Sequence, residues 1–94
     1  MTANSPTMIA RRTFSETIRD LIEGSEKSQI EIARALGYEN ANIITMFKKG
    51  TSRVPPEKIV PLAFALETDP GALLLRWFEV YMPGVFPDIV RYLG

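Results

Sequence analysis

The side chains able to do chemistry in this chain are few in kind. Its 94 residues include no cysteine and no histidine, which removes disulfides, thiolate zinc sites, Cys and His nucleophiles and the commonest general base. Carboxylates and hydroxyls fall at helix caps and on polar faces, with no nucleophile–base pairing, no metal-ligand cluster and no Gly-rich phosphate loop. No enzymatic activity and no cofactor are therefore expected. What is left is recognition, and it concentrates between Ser28 and Gly50, SQIEIARALGYENANIITMFKKG. There Gln29, Asn40 and Asn42 offer carboxamides, Tyr38 and Thr45 hydroxyls, Lys48 and Lys49 positive charge, and Met46 an apolar tip; Ser52 and Arg53 follow directly.

Two short helices must position these groups. Ser28 with Glu31 forms a capping box, so the first begins at Gln29, and Ile32, Ala33 and Leu36 make one apolar stripe before Gly37 supplies a left-handed stop. Asn40 or Asn42 is suited to cap the second, in which Ile43, Ile44 and Phe47 lie at i, i+1 and i+4 before Gly50 ends it. Two short helices joined by a tight turn have the shape of a DNA-reading element.

The ordered run Gln29, Ala33, Leu36, Gly37, Ile44, Phe47, Gly50, followed by a proline and an apolar helix, resembles the lambda-repressor-like helix-turn-helix of the XRE (Cro/cI) type. The resemblance spans about Phe14 to Leu75, and NIITM within GYENANIITMFKKG is similar to the recognition segment of a group of small bacterial and phage XRE-type proteins. Two departures stand out: the turn after Gly37 is one residue longer than usual, and Lys48 stands where the family commonly carries a glutamate. The resemblance implies that the second helix enters the major groove while the first crosses the backbone. Carried over position by position, Gln29 anchors a phosphate and Asn42 reads adenine through its carboxamide, unless it serves only as a cap. Thr45 and Met46 are the other base-contact candidates, Met46 being equally suited to fill a core gap. Lys48, Lys49, Ser52 and Arg53 are phosphate-contact candidates, with Tyr38 and Asn40 in the lengthened turn.

Composition sets bounds on this reading. A 46% hydrophobic and 23% charged chain is that of an ordinary globule of one domain. Eleven Lys+Arg balance eleven Asp+Glu, which argues against a strong sequence-blind nucleic-acid binder. The distribution is uneven: from Asn40 to Leu66 the cations Lys48, Lys49, Arg53 and Lys58 face only Glu57, giving an expected basic edge. No apolar run is long enough to span a bilayer and the start lacks signal-peptide order, so a cytoplasmic location is expected.

Around the helix pair, residues 1–12 read as a flexible arm whose charges are Arg11 and Arg12, either touching a DNA backbone or minor groove or merely solvated. Thr13 with Glu16 makes a second capping box, opening a helix whose Phe14, Ile18, Leu21 and Ile22 form its inner face down to Gly24. TSRVPP is a loop. Ile59, Leu62, Ala63 and Leu66 define a fourth helix in which Pro61 implies a tight first turn or a kink. Asp69 and Pro70 are an N-cap and first-turn pair for a fifth helix. Beyond Pro83–Gly84 a short helix of about residues 87–93 is expected.

Trp77, Phe78, Tyr81, Phe86, Ile89, Val90, Tyr92 and Leu93 offer more apolar surface than so small a domain easily buries alone. They are candidates for a dimer interface, against packing within one core. The sequence thus points to an all-α, five-helix lambda-repressor-like domain over residues 13–82 with a helical extension over 83–94. The expected function is a transcriptional regulator, a repressor by family resemblance, binding double-stranded DNA as a homodimer. The alternative is a protein-interaction module on the same fold, an antitoxin or adaptor gripping a protein partner with its aromatic C-terminus.

Overall fold

Phe14, Ile18 and Ile22 recur at the spacing of one helical face. In the computed structural model, which describes residues 5–94, they are the buried stripe of the first helix, α1 (Pro6–Glu23). Its N-cap lies eight residues before Thr13, the expected cap. Ser5 is its N-cap, its hydroxyl accepting from the Met8 amide at 3.2 Å, and Pro6 occupies the first turn where a missing N–H costs nothing. Thr13 is therefore mid-helix, and its carbonyl accepts from the Thr17 hydroxyl. The expected arm is corrected over residues 5–12, which are cap and helix; residues 1–4 of it lie outside the described residues.

The helix pair follows as its caps dictate. Helix α2 (Gln29–Ala35) opens on a complete capping box: the Glu31 amide donates to the Ser28 hydroxyl, and the Ser28 amide donates to the Glu31 carboxylate at 2.8 Å. Those bonds hold the Glu31 carboxyl below its ordinary range. It ends in a Schellman turn, with Gly37 at φ +89° and the Tyr38 amide donating to the Ala33 carbonyl. Helix α3 (Asn42–Lys49) takes Ala41 as its N-cap without any side-chain bond. The Asn40 carboxamide oxygen instead accepts from the Asn42 amide at 2.8 Å, so Asn40 fastens the turn and Asn42 is the first helical residue. Gly50 closes α3 at φ +75°.

Helix α4 (Pro56–Ala65) runs through Pro61 without a break. The bond forfeited there falls on the carbonyl of exposed Glu57 in the first turn, where solvent takes it. Helix α5 (Pro70–Tyr81) opens as expected on Asp69, whose carboxylate accepts from the Gly71 and Ala72 amides. Helix α6 (Phe86–Leu93) contributes no buried residue. All six helices and no strand lie among the described residues, so the fold is all-α. None of these helices is long and apolar enough to cross a membrane.

Helix α1 packs on α3 and α5, α2 on α3 and α4, and α4 on α5, while α6 touches α5. The core they enclose includes Ile32, Ile44, Phe47, Ile59 and Leu62, essentially inaccessible to solvent. Trp77 joins it, and its indole N–H donates to the buried Val54 carbonyl at 2.8 Å. This ties the loop after α3 to α5. It also corrects the assignment of Trp77 to a dimer interface: the ring is spent within the subunit because a buried carbonyl in the α3–α4 loop needs its donor.

Candidate nucleic-acid interface

Burying Ile44 and Phe47 fixes how α3 is rolled. Asn42, Met46 and Lys49, at i, i+4 and i+7, are then left as one exposed row, with Met46 40% accessible. Met46 is thus surface rather than core filler. Among the described residues the Asn42 carboxamide makes no hydrogen bond within the chain, since Asn40 has taken the turn-fastening role. A free carboxamide at the N-terminal end of an exposed helix is able to form the paired donor and acceptor contacts that adenine presents.

Gln29, Thr45 and Lys48 are brought together as a bridge between α2 and α3. The Gln29 amide nitrogen donates to the Thr45 hydroxyl at 2.9 Å, and its oxygen accepts from Lys48 Nζ at 3.1 Å. Lys48 also pairs with the Glu23 carboxylate of α1 at 3.5 Å. The position where the family resemblance leads one to expect an acid therefore carries a cation, and an acid from α1 answers it. This network sets the angle between the two helices and orients the Gln29 amide, because a cation on one side and a hydroxyl on the other leave a single sensible flip. Lys48 is accordingly half-buried cross-bracing, less free for an outside phosphate than Lys49, which makes no ion pair among the described residues.

The remaining phosphate candidates divide. Tyr38 is half-buried, edge-on to Phe47 with Lys58 over its ring, and Lys58 Nζ donates to the Leu36 carbonyl at 2.7 Å at the end of α2. The basic edge expected from Lys48, Lys49, Arg53 and Lys58 is thus corrected: Lys58 turns inward as a helix cap and Lys48 is a brace. Ser52 is half-buried, its amide donating to the Met46 carbonyl. Arg53 is exposed and lies over the Tyr81 ring at 4.5 Å, with Arg11 of α1 over the same ring at 5.1 Å. Burial pushes the Tyr81 phenol above its ordinary value, and the guanidiniums of Arg53 and Arg11 offset this in part.

Compared with known proteins, the chain matches no family model, no curated protein and no solved structure.

The expected interface residues spread over two environments. Phe78 and Tyr81 are half-buried against the core beside Trp77. In α6 Phe86 and Ile89 are half-covered, whereas Val90, Tyr92 and Leu93 are 51%, 71% and 81% accessible. Phe64 of α4, 67% accessible, is an exposed aromatic outside the expected set. Sequence reading also missed Glu23 as the partner of Lys48. Its only signal was a place on the polar face of α1, and helical spacing says nothing about partners on another helix.

Proposed function

We propose that this protein is a sequence-specific DNA-binding regulator, in which α2 and α3 are a helix-turn-helix of the lambda-repressor type within a five-helix domain and α6 is the extension. The observation that carries the reading is the braced α2–α3 pair with its exposed row Asn42, Met46, Lys49. In such a unit α3 lies in the major groove, Asn42 addresses a base edge, Met46 makes apolar contact, and Lys49 and Arg53 meet phosphates. Gln29 meets a phosphate at the start of α2 while Thr45 and Lys48 hold its amide in place.

The exposed apolar side chains of α6 support a homodimer on paired half-sites about 34 Å apart. Repression is the regulatory sign that the family resemblance suggests. Selection from a pool of randomised duplexes tests the proposal: an enriched inverted repeat is the expected result, and a pool that stays random through successive rounds would sink it. A protein-interaction role for α6 is favoured instead if a partner co-purifies and displaces the homodimer.

A further inference from the structure

Beyond the helix pair, α1 brings a second set of cations to the end of α3. Arg11, Arg12 and Ser15 on one side, and Lys49, Gly50 and Arg53 on the other, line an open cleft of about 680 Å³ floored by Tyr81. The two guanidiniums above the Tyr81 ring lie within about 10 Å of one another, and neither has a carboxylate partner among the described residues. Two of the cations in its lining are answered by acids, Arg19 by Asp20 and Lys48 by Glu23, which leaves Arg11, Arg12, Lys49 and Arg53 against Glu16, the one acid in the lining. Four cations that make no ion pair among the described residues, set against one acid, leave the cleft net positive and suited to an anion.

We propose that this cleft is a phosphate-binding groove in which Arg11, Arg12, Lys49 and Arg53 hold successive phosphates of a duplex strand, with Tyr81 positioning two of the guanidiniums. The inference rests on the DNA-binding reading and extends its phosphate contacts onto α1. A strand carries one phosphate per ~3.4 Å of helix axis, so cations drawn from two helices and a loop are suited to meet more than one. It is open rather than enclosed, as a passing polymer requires. It is also continuous with the reading element, because Lys48 lines it and bonds Gln29 at the start of α2. A strand contacted at Gln29 runs on past Lys49 into the cleft.

The test compares wild type, Arg11→Ala/Arg12→Ala and Arg34→Ala/Arg76→Ala on a selected duplex, by fluorescence anisotropy between about 50 and 200 mM salt. Arg34 and Arg76 are exposed, lie outside the cleft and serve as a charge-matched control. With Arg11 and Arg12 removed, the salt slope should flatten by about 1.8 per subunit at ~0.9 per phosphate contact, with the ranking of sequences kept and the melting point unchanged. The control pair should leave the slope at its wild-type value. Equal flattening by both pairs, or by neither, overturns the groove while leaving the DNA reading intact. If wild type selects no duplex, the DNA reading fails separately, and sodium tripolyphosphate is titrated while the arginine Nε–Hε resonances are followed. Movement of Arg11 and Arg53 then sustains a phosphate groove served by a small polyphosphate, and no movement overturns it.

Discussion

Replacing Trp77 by Phe should cost this fold a large part of its stability. The indole N–H bonds the Val54 carbonyl at 2.8 Å, and both residues are only 4% accessible. Without that donor the carbonyl is buried with no partner, a loss of about 1–3 kcal/mol. Shrinking the indole to a phenyl ring adds a packing defect of about 1 kcal/mol where Phe78 and Tyr81 now crowd it. Together the change amounts to about 2–4 kcal/mol, out of about 5–15 for a typical domain. The melting point should fall by roughly 10–25 °C at this chain length. Far-UV circular dichroism is the suitable probe, since the substitution removes the only tryptophan. Sedimentation should show the oligomeric state unaltered, because Trp77 is buried within one chain. A loss below about 0.5 kcal/mol would refute the tether between the α3–α4 loop and α5. So would a weakened dimer with undiminished stability of the monomer.

Three further outcomes follow from the local geometry. Gly50→Ala should destabilise by about 1–2 kcal/mol in urea unfolding, since φ is +75° and a Cβ would meet Ser15 at 3.0 Å; Gly84→Ala, with open space around it, should be near neutral. Lys58→Met should cost about 1–2 kcal/mol by leaving the Leu36 carbonyl without its charged donor, and an unchanged midpoint would contradict that role. The Glu31 carboxyl is held below its ordinary value near 4.5 by the Ser28 bonds, so its stabilisation is present above that pH and fades as pH falls through the lowered value. Glu31→Gln should therefore flatten the acid limb of the stability–pH curve, and an identical limb in both proteins would count against the cap.

Elements whose ends carry local chemistry were legible in the sequence. Ser28 with Glu31, Gly37, Gly50, and Asp69 with Pro70 each act through neighbours a few residues away, so spacing alone locates them. The start of α1 shows how local signals compete. Ser5–Pro6 is the same N-cap and first-turn pair as Asp69–Pro70, yet Met8 and Ile9 beyond it are exposed and trace no buried stripe, while Thr13 and Glu16 imitate a capping box. In the structure the Thr13 amide lies inside a helix already under way, and the imitation has no free donors to satisfy.

Contacts between helices were not legible. Lys48 with Glu23, Lys58 with the Leu36 carbonyl, and Trp77 with the Val54 carbonyl join residues 22 or more positions apart. Each turns a side chain that reads as surface or interface into a brace. Asn42 went the other way: either capping or base reading fitted its position, and the Asn40 bond to its amide leaves its carboxamide unused.

The central claim is that the exposed face of α3 reads DNA. Its most direct test is fluorescence-anisotropy binding of a selected duplex at two salt concentrations by wild type, Asn42→Ala and Lys49→Ala. Asn42→Ala should cost about 1–3 kcal/mol at one base position and erase discrimination there. Lys49→Ala should weaken every sequence alike and reduce the salt slope by about 0.9 per subunit. Wild-type discrimination and slope in both variants would contradict the claim and move the search for function to the exposed side chains of α6.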